Sequence, residues 1–168
     1  MSEFIDLYDQ NRKLLNREVD RKTYLFQPGE FMMYVLAILE NSQGEFLVTQ
    51  RAFNKKWAAG NWEMPGGGAK SKESSLDAIK REVKEETGLD VKNGGVVYSY
   101  FNEDNDRYDN YFVDIYHFKF DFDLSDVQLN TCESINCKCV TLDELISMNQ
   151  EQSFLHYERI MKALQQEK

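Results

Sequence analysis

Hydrophobic and polar positions divide the chain into a polar start and a series of strands and helices. The near-continuous apolar run at 31–39 predicts a buried strand, and the alternation at 45–51 predicts a second one. The turn residues at 41–44 separate them, so we expect these two strands to form a hairpin. Residues 1–30 are polar and charged, with turn chemistry at 27–29, and they predict an extension rather than core.

A helix is predicted at about 75–87, after a loop over 52–70. Ser74 is placed to cap its amino terminus, and Asp77, three residues on, completes a capping box. Gly88 predicts the end of the helix, because glycine tolerates the left-handed conformation that lets the chain turn away.

The carboxyl-terminal half alternates between strand and helix patterns. This mixed α/β order predicts a layered sandwich, and we expect a single domain over residues 1–168 with 1–30 packed on it as an extension. The predicted strands of this half are 96–101, 111–122 and 137–140, and the predicted helices are 142–148 and 153–164.

Composition and charge restrict the class of protein. The formal net charge is −9, which argues against binding to the backbone of a nucleic acid polymer. The mixed polar start is unlike a signal peptide, and the apolar run at 31–39 is too short to span a bilayer. The odd count of three cysteines lacks zinc-site spacing and predicts reduced thiols. We therefore expect a cytoplasmic protein without a membrane segment.

Three carboxylates share one side of the predicted helix. At 100° per residue, Glu85 and Glu86 lie within about 60° of Glu82, whereas Lys80 and Lys84 fall on the opposite side. Like charges at these spacings repel each other unless a cation intervenes. Oxygen ligands favour Mg²⁺, Mn²⁺ or Ca²⁺ over zinc. A solvated acidic face is the alternative interpretation.

A glycine run precedes this helix. Gly66, Gly67 and Gly68 lack side chains, so their backbone N–H groups allow close approach of an anion. An ordinary tight turn is the alternative when the run is taken alone. Together with the carboxylates, in this order, it predicts a site where a hard divalent cation holds a phosphorylated substrate.

The residues from Gly67 to Leu89 resemble a complete Nudix box. Gly67, Glu73, the Arg81-Glu82-Val83 triplet, the Glu85-Glu86 pair and Gly88-Leu89 stand at the spacing of that motif. The resemblance extends over about residues 30–148. It implies the α/β fold of that family, an α/β/α sandwich around a central mixed β-sheet.

The resemblance also implies roles for individual residues. Glu85 and Glu86 would be the principal ligands of Mg²⁺, or of Mn²⁺ as an alternative, and Glu82 would be a further ligand or the base that orients water. Gly67 would contribute a backbone carbonyl to the metal. A salt bridge between two further box residues would hold the loop to the helix: Glu73 and Arg81.

An accessory glutamate is implied by a second feature of the family. Some members recruit a glutamate six residues before a tryptophan near the last strand. Here Cys139 stands at the tryptophan position, and Glu133 lies six residues before it. Glu133 is therefore the candidate for an additional catalytic ligand or base, and an exposed loop glutamate is the alternative.

The implied activity is Mg²⁺-dependent hydrolysis of a diphosphate linkage in a nucleoside diphosphate derivative or another small organic pyrophosphate. A non-catalytic nucleotide-binding domain of the same fold is an alternative. The amino-terminal region also resembles isopentenyl-diphosphate isomerase relatives, but the cysteine that such isomerases need before the box is missing at Trp62–Gly67. A homodimer is a further expectation from the resemblance.

Residues outside the box provide candidates for substrate contacts. Lys55, Lys56 and Arg51 lie near the glycine loop and could meet phosphates. A base could stack on an aromatic side chain, although aromatic residues more often pack in a core. The aromatic candidates are Trp57, Trp62, Tyr98, Tyr100, Tyr108 and Tyr111.

Overall fold

The computed structural model describes residues 3–166, which form two sheets and three α-helices. The strands are β1 Phe4–Tyr8, β2 Leu14–Asp20, β3 Met32–Glu40, β4 Phe46–Arg51, β5 Trp62–Glu63, β6 Gly66–Gly68, β7 Val96–Asn102, β8 Tyr111–Lys119 and β9 Ser134–Val140. The helices are α1 Ser75–Thr87, α2 Leu142–Gln150 and α3 Tyr157–Gln166.

The larger sheet contains seven strands and is mixed. Strand β3 runs parallel to β8 over its whole length, from Met32 opposite Tyr111 to Glu40 opposite Lys119. Its pairings with β4 and β6 are antiparallel, as are those of β7 with β8 and of β5 and β9 with β4. The predicted hairpin of β3 and β4 and the predicted mixed sheet are confirmed.

Helices cover both faces of this sheet. Ile79 and Val83 of α1 pack with Val35 in one fully buried cluster, and Leu145 of α2 and Ile160 of α3 lie in the cluster on the other face. The α/β/α sandwich is therefore confirmed. None of the helices within residues 3–166 is long and apolar enough to cross a membrane.

The helix that carries the glutamates begins and ends as its sequence predicts. The Ser74 side chain accepts a hydrogen bond from the backbone of Asp77, and the reciprocal bond completes the capping box. Gly88 has φ 74°, and its N–H donates to the carbonyl of Lys84. These local signals fix where the glutamates stand along the helix.

Three segments differ most from the expectation, while β8 ends at Lys119 rather than 122 and β9 begins at Ser134 rather than 137. The loop predicted over 52–70 contains β5 and β6, because its backbone is recruited by β4 and β3. Helix α3 begins at Tyr157 rather than 153, because Ser153 and Leu155 hydrogen-bond to the backbone of Trp62. The polar segment before residue 30 forms the β1–β2 hairpin, whose Ile5 and Leu7 are buried.

Candidate functional site

A cavity of about 740 Å³ opens where β6, the carboxylate face of α1 and the turn before β9 meet. Strand β6 is held by β3, with Gly67 opposite Val35, and this pairing sets the glycine run against the helix. The cavity is lined by every catalytic or metal-binding residue that the sequence predicts: Gly67, Glu82, Glu85, Glu86 and Glu133.

Arg81 joins the glycine loop to the carboxylate helix. Its Nε and Nη2 donate to the two oxygens of Glu73, at 2.6 Å and 2.9 Å. Nη2 also donates to the carbonyl of Gly68 at 3.0 Å. The ion pair of Glu73 with Arg81 that the resemblance implies is therefore present, and it fixes the loop at the amino-terminal half of α1.

Arg81 also restrains two of the predicted ligands. Its Nη1 donates to Glu82 at 2.6 Å and to Glu85 at 3.2 Å. Lys70, from the loop before α1, lies 3.4 Å from Glu85. The helix pattern sets Lys80 and Lys84 away from the carboxylates and leaves Arg81, four residues before Glu85, as their near cationic neighbour. The structure keeps that neighbour, which contacts Glu82 and Glu85, and adds Lys70 beside Glu85, a contact that a helical projection cannot show.

The absence of a side chain at Gly67 makes room for Glu82. A β-carbon built on Gly67 would lie 2.6 Å from the carboxyl carbon of Glu82 and 2.7 Å from each of its oxygens. Glycine is thus required here by close approach and not by a positive φ. Burial raises the pKa of Glu82, against the lowering effect of Arg81.

The surroundings of Glu86 disfavour the ionised form of its carboxyl group. Burial, and then the negative charges of Glu82 and Glu63, raise the pKa of its carboxyl well above the usual range. Within residues 3–166, the one hydrogen bond to its carboxylate comes from the backbone N–H of Gly66, at 3.2 Å. Such a carboxylate gains more than its neighbours from a nearby cation.

The side chains that could bind a metal here suit a hard divalent cation, because all of them offer oxygen atoms. Glu82, Glu85 and Glu86 offer only oxygen, and Mg²⁺ keeps several waters while binding one or two carboxylates. Within residues 3–166, no three His, Cys, Asp or Glu side chains converge as a ready metal cage. Two of the three carboxylates, those of Glu82 and Glu85, instead contact the guanidinium of Arg81.

Glu133 reaches the cavity from the turn before β9. The backbone N–H of Ala52 donates to its carbonyl at 3.0 Å, where β4 and β9 end their pairing. Its carboxylate forms an ion pair with Lys55 and is 46% exposed. Its negative charge also contributes to the raised pKa of Glu86. The structure therefore brings Glu133 into the same cavity as the box glutamates.

Two functional candidates on this side of the cavity were missed in the sequence. Glu63 accepts two hydrogen bonds from Arg51, at 2.9 Å and 3.1 Å, and burial raises its pKa. His156 has φ 60° and stands before α3, and burial followed by the charge of Arg51 lowers its pKa. Glu63 lies in the segment Trp62–Gly67, which resembles the family just before the box, so its position was a usable signal. No local sequence pattern distinguishes His156.

The aromatic candidates separate into two groups. Trp57, Tyr100 and Tyr111 line the cavity. The cavity lining does not include the other three candidates: Trp62, Tyr98 and Tyr108. Of the basic candidates, Arg51 and Lys55 line it and Lys56 does not. Tyr34 and Arg21 also line it, and sequence reasoning gave neither a role.

Comparison with known proteins agrees with this geometry. The family model described as the NUDIX domain matches residues 30–163. An uncharacterized Nudix hydrolase, lin0387 of Listeria innocua, is 32% identical over 149 residues, covering 84% of this chain and 85% of the relative. The MutT protein of Methanosarcina mazei has a similar structure, with a TM-score of 0.68, 26% identity and coverage of 86% of this chain and 96% of its own.

A shorter match concerns a relative with a stated activity. The 8-oxo-dGDP phosphatase NUDT18 of Danio rerio is 43% identical over 56 residues, which cover 33% of this chain and 17% of that protein. The fold and the box together define a pyrophosphate-cleaving hydrolase. The chain belongs to the Nudix hydrolase family.

Proposed function

We propose that this protein is a Mg²⁺-dependent hydrolase that cleaves the diphosphate linkage of a nucleoside diphosphate derivative, with Mn²⁺ as an alternative metal. One observation carries the proposal: the three box glutamates, Gly67 and Glu133 line a single cavity. That cavity also contains cationic side chains that can meet phosphate oxygens.

The metal-binding role falls on the box carboxylates. In this proposal Glu86 and Glu85 are the principal ligands, Glu82 is a further ligand or orients water, and Gly67 contributes its carbonyl. The raised pKa of Glu86 supports its part, because a cation would relieve the cost of its ionised form. A bound Mg²⁺ would neutralise phosphoryl charge and acidify a bound water.

Glu133 and Lys55 supply the remaining chemistry in this proposal. Glu133 is the accessory ligand or base, and its carboxylate forms an ion pair with Lys55 beside the cavity. Arg51 is held by Glu63 at 2.9 Å and offers its remaining N–H groups to the diphosphate. When substrate binds, Lys55 and Arg51 would contact its phosphates in place of their present ion pairs with Glu133 and Glu63.

The nucleotide class is supported by a relative. The name of NUDT18 states action on 8-oxo-dGDP, and its match to this chain covers only 33% of the residues. A nucleoside diphosphate is therefore the first substrate class to test. A pyrophosphate without a base is the second.

The decisive variant is Glu86→Gln, which keeps the shape and the Gly66 hydrogen bond but removes the charge. Turnover is measured with Mg²⁺, Mn²⁺ or EDTA over nucleoside di- and triphosphates, including 8-oxo-dGDP, dinucleotides, nucleotide sugars and prenyl diphosphates. We expect a loss of about 100-fold or more in kcat, since charge stabilisation of the transition state is lost.

Two further measurements make this test independent of misfolding. Without metal, Glu86→Gln should unfold at a higher temperature than the wild type, because it removes a carboxylate that burial destabilises. The exposed Glu158→Gln is the matched control and should change neither quantity. Wild-type turnover in Glu86→Gln, or tight nucleotide binding by an inactive wild type, would contradict the proposal.

A further inference from the structure

Three side chains form a continuous row across the sheet on the cavity side. Val113 of β8 is paired with Tyr34 of β3 on one side and with Tyr100 of β7 on the other. Paired residues of neighbouring strands point to the same face of a sheet, and all three side chains line the cavity. We call Tyr34, Val113 and Tyr100 the tyrosine floor.

The tyrosine floor begins at the glycine loop. Gly68 is paired with Tyr34, so the row extends from the loop that carries Gly67 toward β7 at the sheet edge. A substrate whose phosphates lie at the box glutamates would therefore place its organic group over this row. The row leads away from the box glutamates to the tyrosines of β3 and β7, and we call that part of the cavity the aromatic end.

Both tyrosine rings are held by arginines. Arg21, from the segment after β2, donates to the Tyr34 hydroxyl at 2.7 Å, and its guanidinium carbon lies 5.3 Å from the ring centre. Arg159 of α3 lies 4.4 Å from the centre of the Tyr100 ring. Rings fixed in this way lose little further entropy when a ligand stacks on them.

The aromatic end also has unused polar groups. Within residues 3–166, the hydroxyls of Tyr100 and Tyr111 form no hydrogen bond, although both residues line the cavity. Burial raises the pKa of Tyr100 to about 12, so its hydroxyl remains a neutral donor at ordinary pH. Asp109 lies at the same end of the cavity and can accept.

The tyrosine rings, the hydroxyls of Tyr100 and Tyr111, and Asp109 together favour a planar heterocycle over a prenyl chain as the organic group of the substrate. A planar heterocycle presents a π-face to the rings and polar edge atoms to the hydroxyls and to Asp109. A prenyl chain would cover the same surface but would leave those hydroxyls and the Asp109 carboxylate without partners, which is costly on desolvation. The surface is therefore matched to a base.

We propose that the tyrosine floor is the nucleobase subsite of this enzyme, with Tyr100 as its specificity-determining residue. The inference rests on the proposed function for the position of the diphosphate, but its test does not require hydrolysis. Tyr100 contacts the base and takes no part in the chemical step.

The experiment measures binding of nucleosides to the full chain in EDTA, by saturation transfer from protein to ligand protons. Adenosine, guanosine, cytidine and uridine are the probes, with ribose and geraniol as ligands that lack a base. Tyr100→Leu removes the ring, Tyr100→Phe removes only the hydroxyl, and Phe101→Leu alters an exposed ring on the same strand that lies outside the cavity lining.

We expect at least one nucleoside to bind with saturation of its base protons, and ribose to show none. Tyr100→Leu should weaken that binding about tenfold, the scale of one lost base–aromatic contact. Tyr100→Phe should weaken it about fivefold or less, the scale of one hydrogen bond, and Phe101→Leu should leave it unchanged. All variants are compared at equal fraction folded.

The contrary outcomes are distinct from failure of the proposed function. Nucleosides that bind no better than ribose, or geraniol that binds with the same dependence on Tyr100, would overturn the base subsite even if diphosphates are hydrolysed. If nucleosides bind through Tyr100 but no diphosphate is hydrolysed, the base subsite is supported and the proposed hydrolase activity is contradicted. Equal nucleoside binding by Tyr100→Leu and wild type would reject the role of Tyr100.

Discussion

Arg81 donates to both carboxylate oxygens of Glu73, at 2.6 Å and 2.9 Å, across eight residues of sequence. Both side chains are mostly buried, with 17% and 19% exposure. Glu73 also accepts from the backbone N–H of Lys70 at 2.8 Å, so one carboxylate joins the loop backbone to the helix. The pair thereby sets the position of Gly67 relative to the glutamates.

Glu73→Gln should loosen this junction without adding volume. The amide can keep one hydrogen bond from Arg81, but it loses the charge, and we expect a stability loss of about 1–2 kcal/mol. Urea unfolding measures it, with exposed Glu158→Gln as control. We expect kcat to fall as well, because the loop carries a proposed metal ligand. Unchanged stability would show that the ion pair does not hold the loop.

Gly67→Ala tests the close approach of loop and helix. The added methyl group would meet the Glu82 carboxylate at 2.6–2.7 Å, so Glu82 must move from its contact with Arg81. We expect kcat to fall about 100-fold while the far-ultraviolet circular dichroism is kept. Gly95→Ala is the matched control, because nothing lies within 4 Å of its added carbon. Equal activity of the two variants would refute the requirement for glycine.

Asp114 joins four parts of the fold and gives a prediction about pH. Its carboxylate accepts from Arg12 at 2.8 Å, from Ser75 at 2.6 Å and from Ser99 at 2.6 Å. Burial opposes its ionisation, but the hydrogen bonds from Arg12, Ser75 and Ser99 prevail and lower its pKa. Its stabilising contribution is therefore complete above the unfolded pKa of about 3.9 and is lost as pH falls through the folded value.

Arg12→Met should remove most of that contribution. At pH 7 the buried Asp114 charge loses its cation, and we expect a cost of about 2–3 kcal/mol in urea unfolding. The difference from wild type should shrink as pH falls through the lowered folded pKa of Asp114, because below that value Asp114 is protonated in both proteins. Arg107→Met changes a largely exposed arginine and should cost little. A difference independent of pH would contradict this account.

Glu133→Gln tests the accessory role outside the box. We expect kcat to fall about 100-fold if the carboxylate acts as a base, with a smaller change in KM. The exposed Glu151→Gln is the control. The pH profile adds a second readout, since removing a base should abolish the acidic limb of kcat. Loss of stability without a changed profile would assign Glu133 to structure only.

Local signals in the sequence were sufficient for the box helix. Ser74, Asp77 and Gly88 mark the ends of α1, and all three act as predicted because caps depend on residues within one turn. The hairpin of β3 and β4 and the layered α/β class followed from periodicity for the same reason. The box residues could be recognised together because their spacing is itself a feature of the sequence.

The partners of those residues depended on tertiary structure. Lys70 reaches Glu85 only because β6 pairs with β3, and His156 enters the cavity only because the backbone of Trp62 holds the segment before α3. Such contacts join residues that no helical or strand period relates. The β1–β2 hairpin was missed likewise, since its few buried side chains, those of Ile5, Leu7 and Val19, pack through contacts that are distant in sequence.

The sequence by itself determined the box helix, its capping and the set of glutamates that the chain can offer to a metal. Only the tertiary structure decided that Lys70 joins Arg81 beside Glu85 and which aromatic rings share the cavity. The physical reason is range: capping and helical facing are set within a few residues, whereas the row from Gly68 through Tyr34 and Val113 to Tyr100 exists only when four strands pair in register.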